Sequence, residues 1–278
     1  MLQSLGYPYI SGRIEYFSVK PKTEEFLNLL LWTAEQLMRP TFRNLNESYE
    51  GWAYRNGLLR QVSKLEKQQL VQRDRAALDD RVYRLTSEGR LHALGGRDPE
   101  ARWSRIWDGS WRLVLFDVPI THSRERIQLW RQLRRKQFGY LQNSVWITPD
   151  PLEKERQLLR GSEINVESLI LMEARPCARE SDAQIVAAAW DFKRINRLYN
   201  EYLEVLRERP TRALHNDAAA KTMLRWAQAE RAAWLKAVGS DPLLPEKLLP
   251  SGYQGKKAWR KRIGVLRQAG RHLRTFEP

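Results

Sequence analysis

The side chains best suited to reading nucleic acid share one side of a predicted helix over residues 56–69. At 100° per residue that side carries Asn56, Arg60, Ser63, Lys64 and Lys67. In the DNA major groove, Asn pairs with adenine through two hydrogen bonds, Arg pairs with guanine, and Lys binds guanine or phosphate. The pattern predicts a recognition helix. Its alternative is an ordinary solvated helix face, on which polar and basic stripes are common.

Basic residues also occur in a β-hairpin that is predicted to follow this helix. The hairpin consists of residues 70–73 and 81–86, joined by a turn. Its cations are Arg73, Arg75 and Arg81. A wing beside a recognition helix normally meets phosphates or the minor groove, so we expect these arginines to hold the DNA backbone.

Further helices must position this surface. Thr23 is a candidate N-cap before Glu24 and Glu25, and the helix that it starts ends at Pro40. A second helix is predicted over about 47–54. The third helix, over 56–69, has an apolar side that should face a core: Leu58, Leu59, Val62, Leu65 and Gln69. Three helices followed by a short hairpin are the pattern of a winged helix-turn-helix.

The middle of the chain alternates strands and helices. Residues 111–119 form a nearly continuous apolar run, which predicts a central strand. The elements predicted after it are a helix over 123–137, one or two strands in 139–148, a helix near 152–160 and a strand at 168–174. This order fits a ferredoxin-like α/β sandwich. From residue 182 to residue 272 only helical patterns occur.

Residues for catalysis are sparse. Asp117 ends the predicted central strand, where ligands are often bound, and two copies of it across a dimer could hold a metal for hydrolysis. The alternative is a lone carboxylate that caps or turns the chain. The four histidines have no paired metal-ligand spacing, and neither a Gly-rich phosphate loop nor a nucleophile elbow is present. The sequence therefore predicts no catalytic and no metal-binding residues.

Two more groups of basic residues have an open role. One lies in the helix predicted over 123–137 and contains Arg124, Arg126, Arg131, Arg134, Arg135 and Lys136. It could extend a DNA track or bind the phosphates of a nucleotide-like effector. Alternatively, its side-chain stems cover the flanks of an apolar stripe made by Ile127, Trp130 and Leu133. The second group is equally open and contains Lys256, Lys257, Arg260, Lys261 and Arg262.

The composition of the chain agrees with a polyanionic partner. Among 278 residues, 48 Lys and Arg exceed 33 Asp and Glu, which gives a net charge of +15. Nucleic acid, an anionic membrane surface and a phosphate-rich ligand are all compatible with this charge. Cys177 is the single cysteine, which excludes an intramolecular disulfide, and no run approaches the ~18 apolar residues of a membrane span. We therefore expect a soluble, cytoplasmic protein.

Four segments resemble a known family. Residues 107–119 (WDGSWRLVLFDVP) and 138–147 (FGYLQNSVWI) look like the middle of the PaaX family of bacterial repressors of phenylacetate degradation. Residues 83–89 (YRLTSEG) and 241–250 (DPLLPEKLLP) agree with the same family.

The resemblance implies an N-terminal winged helix-turn-helix, a middle domain similar to the CRISPR-associated ferredoxin-like endoribonucleases, and a helical C-terminal domain. It also implies a homodimer that binds a roughly palindromic double-stranded DNA operator and is released by an aryl-CoA thioester such as phenylacetyl-CoA. Asp117 corresponds to the carboxylate of the nuclease relatives, and the likeness to the repressors implies that it is not catalytic.

These observations predict an α+β multidomain protein. Its predicted parts are an N-terminal extension over 1–22, a winged helix-turn-helix over 23–96, a ferredoxin-like dimerisation domain over 97–180 and a helical, effector-binding domain over 181–278. The predicted function is a DNA-binding transcriptional repressor of aromatic-acid catabolic genes, with no cofactor, no enzymatic activity and no membrane partner. The alternatives are a metal-dependent nuclease that uses Asp117 and a nucleic-acid-binding module without sequence preference.

Overall fold

The computed structural model of the chain describes residues 62–73, 83–117, 123–142, 144–152, 168–211 and 217–274. The predicted N-terminal extension and the first two predicted helices lie outside these ranges, as does most of the helix predicted near 152–160. The predicted domain boundaries stay predictions.

A short helix and a two-stranded hairpin form the N-terminal end of the described chain. They are α1 (Val62–Lys67), β1 (Val71–Arg73) and β2 (Tyr83–Leu85). The strands pair antiparallel, so the predicted hairpin is confirmed in these residues. Leu65 is buried as expected, but the prediction that Gln69 faces the core is wrong. Gln69 is exposed because the helix has already ended there and the backbone turns through a φ of 57°.

Helix α2 (Ser87–Ala93) is fixed to the start of the hairpin by two residues of the YRLTSEG segment. Thr86 caps the helix by accepting a hydrogen bond from the Gly89 N–H at 2.9 Å, and its hydroxyl donates to the Gln69 carbonyl at 2.7 Å. A Cβ on Gly89 would lie 1.8 Å from the Leu70 carbonyl oxygen. Only glycine therefore allows this approach of helix to strand.

The middle of the chain forms one antiparallel sheet after helix α3 (Pro99–Ser104). Its elements are β3 (Trp111–Asp117), α4 (Ser123–Arg135), β4 (Gly139–Gln142), β5 (Val145–Thr148) and β6 (Ser168–Ala174). The strand order is β4-β5-β3-β6, and every neighbouring pair is antiparallel. This is the strand order of a ferredoxin-like sandwich, with the predicted central strand β3 inside the sheet.

The two faces of the sheet contribute to different hydrophobic clusters. Helix α4 covers one face through Leu129 and Leu133, which pack with Val114, Phe116 and Trp146. Side chains of the opposite face, including Trp111 and Ile147, belong to a larger core that extends along the chain from Leu65 to Ala269. The β-strand alternation thus connects the sheet to the helices that come later in the sequence.

The remaining described chain is helical, as predicted. It consists of α5 (Asp182–Ala189), α6 (Phe192–Arg207), α7 (Asp217–Ser240), a 3₁₀ turn (Glu246–Leu248) and α8 (Gly255–Arg274). Helix α6 contacts both α7 and α8. Helix α5 begins with a capping box, in which Ser181 and Gln184 satisfy each other's backbone N–H groups.

The structure confirms a mixed α/β protein with a four-stranded antiparallel sheet. The complete winged helix-turn-helix stays a prediction, because its first two helices precede residue 62. Within the ranges that the structure describes, no helix combines the length and apolar character needed to cross a bilayer.

The close approach at Gly89 gives a stability prediction. We expect Gly89→Ala to lower the free energy of unfolding by about 1–3 kcal/mol, because Leu70 and the helix must move apart. The matched control is Gly264→Ala in α8, where a Cβ meets no atom within 4 Å and helix propensity favours alanine by about 1 kcal/mol. Urea unfolding of both variants measures the change in the free energy of unfolding. Equal changes of the same sign in the two variants would contradict the close approach at Gly89.

Candidate nucleic-acid interface

The structure describes part of the predicted DNA-binding surface. Ser63, Lys64 and Lys67 lie in α1, and Arg73 is the last residue of β1. Lys64 and Lys67 are three residues apart and therefore share a helix face, with the Lys67 side chain exposed. Asn56, Arg60, Arg75 and Arg81 lie outside the described residues. The helix and the hairpin that carry these positions are adjacent, as a recognition helix and its wing require.

The segment after α2 turns sharply and reaches the C-terminal helices. Gly95 and Gly96 have φ values of 83° and 77°, which glycine adopts without strain. A Cβ on Gly95 would lie 2.3 Å from the Leu235 side chain of α7. The turn therefore places Arg97 at the end of α7.

Arg97 binds the carbonyl groups that end helix α7. Its guanidinium donates to the carbonyl oxygens of Val238 at 3.0 Å, Asp241 at 2.5 Å and Pro242 at 3.1 Å. The last carbonyls of a helix have no partner within the helix and carry its negative dipole end, so a guanidinium satisfies both requirements. Gln137 adds a hydrogen bond to the Gly239 carbonyl at 2.6 Å from the end of α4.

Asp241 lies at the centre of the same junction and has no exposed surface. Its carboxylate accepts hydrogen bonds from the Tyr199 hydroxyl at 2.6 Å, from the Leu243 N–H at 2.8 Å and from the Tyr253 hydroxyl. Burial raises its pKa above the ordinary aspartate value, although these hydrogen bonds act in the opposite direction. Trp103 in α3 donates to the Tyr253 hydroxyl at 3.1 Å, which joins this network to the N-terminal side.

A second polar junction lies beside the first. Asp150, which follows β5, accepts from Arg102 at 2.6 Å and from Arg105 at 2.7 Å. Arg105 also donates to the Leu243 carbonyl. Burial by itself would raise the pKa of Asp150, but the charges and hydrogen bonds of the two arginines lower it below the ordinary value. Helix α3, the sheet and the Asp241 segment are therefore held together by charged groups.

A buried ion pair stabilises the C-terminal helices. Arg262 of α8 donates to Glu230 of α7 at 2.8 Å, and Tyr202 of α6 donates to the same carboxylate oxygen at 2.7 Å. The Arg262 guanidinium carbon lies 4.9 Å from the centre of the Trp234 ring. Arg262, which the sequence placed in an open basic group, therefore has a structural partner.

Asp117 ends β3, as predicted, and its side chain is exposed. Across the described ranges, no group of three or more His, Cys, Asp or Glu side chains is arranged to hold a metal ion. Asp117 is therefore not part of such a three-ligand cluster among these residues.

Sequence reasoning did not find the residues of the junction. The sequence analysis gave Arg97 no role, and Asp241 was only part of the DPLLPEKLLP resemblance. The signal was the type of residue: an aspartate before an apolar segment and an arginine beside two glycines. Their pairing joins positions 144 residues apart, which periodicity cannot indicate.

Comparison with known proteins identifies the family. Residues 104–186 match the family model described as the PaaX protein central Cas2-like domain, and residues 190–273 match the one described as the PaaX-like protein C-terminal domain. Together the two matches cover more than half of the chain. The chain belongs to the PaaX family. The resemblance in the sequence is thereby confirmed. The β-sheet and Asp241 fall within the matched PaaX regions, whereas Arg97 and Trp103 precede them.

One solved structure is similar over nearly the whole length. It is the uncharacterized protein Rv0674 from Mycobacterium tuberculosis, with a TM-score of 0.55 and 20% sequence identity. The similarity covers 91% of this PaaX-family chain and 97% of the other chain, and it shows a shared fold. No curated protein matches the sequence significantly.

The ion pairs of Asp150 give a pH-dependent prediction. Because its pKa is lower in the folded protein, the stabilisation is present above the unfolded value of about 3.9 and is lost as the pH falls through the folded value. We expect Asp150→Asn to lower the free energy of unfolding by about 1 kcal/mol at neutral pH. Urea unfolding at several pH values should show this difference shrinking below about pH 4. A difference that is unchanged in acid would contradict the assignment.

Proposed function

We propose that this PaaX-family chain is a DNA-binding transcriptional regulator that represses aromatic-acid catabolic genes. The observation that carries the proposal is helix α1, which contains Lys64 and Lys67, followed directly by the paired hairpin β1–β2. Thr86 and Gly89 fix α2 to Gln69 and Leu70, the residues that join α1 to the hairpin. In a winged helix-turn-helix the recognition helix lies in the major groove and the hairpin beside it contacts the DNA backbone. Family membership and the net charge of +15 support the same function.

The roles follow from side-chain chemistry. Asn56, Arg60, Ser63 and Lys64 enter the major groove, and Lys67 binds at its edge. Arg73, Arg75 and Arg81 hold phosphates. In this proposal the chain has no catalytic residue, and its specificity comes from the few side chains that reach base edges.

The regulator acts as a homodimer, and strand β6 supports this part of the proposal. It is an edge of the described sheet, and its Ile170 and Met172 side chains are 52% and 49% exposed on one face. In a dimer, β6 of one protomer can pair antiparallel with β6 of its partner, with the two-fold axis at Leu171. This pairing places Ile170 of each protomer opposite Met172 of the other. Such a self-complementary contact covers both side chains and closes the exposed edge.

Footprinting on the DNA upstream of the gene tests base reading and the dimer together. We expect two protected half-sites about 10 bp apart, which is one turn of DNA. Arg60→Ala should weaken binding by about 1–3 kcal/mol if Arg60 reads a guanine. Lys221→Ala, at an exposed position in α7, is the matched control and should protect like the wild type. Equal protection by Arg60→Ala removes Arg60 from the reading residues, and a single half-site contradicts the dimer.

The effector in this proposal is an aryl-CoA thioester, and phenylacetyl-CoA is the compound to test. Its binding domain is the helical one over 181–278, so its effect must cross to the DNA-binding end. The contacts of Arg97 with the end of α7 provide a direct connection between these regions.

Release by the effector gives a prediction about this connection. At 100 times its dissociation constant, phenylacetyl-CoA should stabilise the protein by about 2.7 kcal/mol in a thermal-shift assay, and free CoA is the control. The compound should weaken wild-type DNA binding by about 5–150-fold, the range of a coupling of 1–3 kcal/mol. The Arg97→Ala variant should still bind phenylacetyl-CoA, but the compound should weaken its DNA binding less. A full response by Arg97→Ala would show that the coupling takes another route.

A further inference from the structure

Four arginines form an exposed stripe along helix α4. Arg124, Arg131 and Arg135 are spaced by seven and four residues, which places them within about 40° of one another around the helix. Arg134 lies beside them, and all four side chains are exposed. At 1.5 Å per residue the stripe is about 16 Å long. We call these four residues the α4 arginine stripe.

The α4 arginine stripe has no ion-pair partner in the described part of the chain. Some exposed cations there do pair: Arg207 lies 2.6 Å from Glu204, and Lys236 lies 3.1 Å from Glu201. The only acidic residue between positions 123 and 136 is Glu125, which falls about 100° around the helix from Arg124. Among the residues that the structure describes, no acidic side chain neutralises the positive charge of the stripe.

Packing does not explain these arginines. The residues with which α4 covers the sheet, Leu129 and Leu133, are buried on the opposite side of the helix. Ile127, the apolar residue next to the stripe, remains 46% exposed, so the arginine stems do not cover it. Shielding of Ile127 therefore does not account for the arginines beside it.

An extended polyanion fits this surface best. A guanidinium donates two parallel hydrogen bonds to a phosphate, and four of them along an open helix face can contact successive phosphates. A phosphorylated metabolite would use one or two of them. We propose that the α4 arginine stripe binds the phosphate backbone of DNA beside the operator, an inference that rests on the proposed function.

The experiment compares salt dependence on two duplexes. One is limited to the segment that the wild type protects in footprinting, and the other has about 15 bp more on each side, longer than one turn of DNA. The variant is Arg131→Gln/Arg135→Gln. The matched control is Arg260→Gln/Lys261→Gln, which removes the same charge from exposed positions in α8 that also lack ion-pair partners among the described residues.

We expect the α4 variant to bind the long duplex at least tenfold more weakly than the wild type near 0.1 M salt. Its log–log salt slope should fall by about 0.9 for each phosphate contact that is lost. On the short duplex it should resemble the wild type, and the α8 control should do so on both. Arg131→Lys/Arg135→Lys keeps the charge and should retain most of the slope. Unchanged circular dichroism and melting temperature will show that the variants are folded.

Several results would overturn the inference, and they differ in whether they also overturn the proposed function. If the wild type protects no DNA segment, the proposed function fails and the inference fails with it. If the wild type has the same slope on both duplexes, the flanking contact is absent although the regulator function stands. Equal losses in the α4 variant and the α8 control would show an effect of net charge alone. Loss of phenylacetyl-CoA binding with normal DNA binding would assign the stripe to a small ligand.

Discussion

The carbonyl groups at the end of helix α7 must find hydrogen-bond donors, because they are removed from water by the segment that follows them. Arg97 satisfies three carbonyls in this region, and it follows the Gly95-Gly96 turn that ends α2. Asp241, buried in the same segment, needs two tyrosine hydroxyls and a backbone N–H to remain there. The meeting of the N-terminal elements with the C-terminal helices is therefore set by polar groups that cannot be left unpaired.

This constraint explains why the N-terminal end of the described chain (α1, β1, β2 and α2) is not an independent appendage. The core that contains Leu65 of α1 also contains Trp234 and Trp259, and the sheet contributes Trp111 to it. Trp111 donates to Asp182 at 2.8 Å, and Trp190 donates to the Gln137 carbonyl at 3.2 Å, so polar contacts accompany the apolar ones. The C-terminal helices and α1 are thus connected through packed and hydrogen-bonded groups.

Local pattern was sufficient for most of the regular elements. The apolar run at 111–119 predicted the central strand, a helix was predicted over 123–137 where α4 lies, and paired β-favouring runs predicted the hairpin. The short helices α2 and α3 were not predicted. Gln69 was misplaced because a helical wheel cannot show where a helix stops. The network around Asp241 stayed hidden, since its partners Tyr199 and Tyr253 are distant or separated by a turn, and the sequence carries no record of that geometry.

The candidate site also has a part that could be predicted from the sequence and a part that needed the structure. Residue chemistry was enough to select Lys64, Lys67 and Arg73, which the structure places on adjacent elements, whereas the anchoring of those elements at Thr86 and Gly89 required coordinates. The role of α4 also changed once burial was known. Its basic residues are consistent in sequence with either packing or binding, and only the position of Leu129 and Leu133 shows which side of the helix the arginines occupy.

The central claim is that the N-terminal end of the described chain and the C-terminal helices form one cooperative body joined at Arg97. Native-state hydrogen exchange measures it most directly, through the opening free energies of amides in α2 and in residues 241–249. The account predicts that these two groups of amides open with the same free energy in the wild type. If α2 opens at a free energy several kcal/mol below that of residues 241–249, the two ends are independent and the account is contradicted.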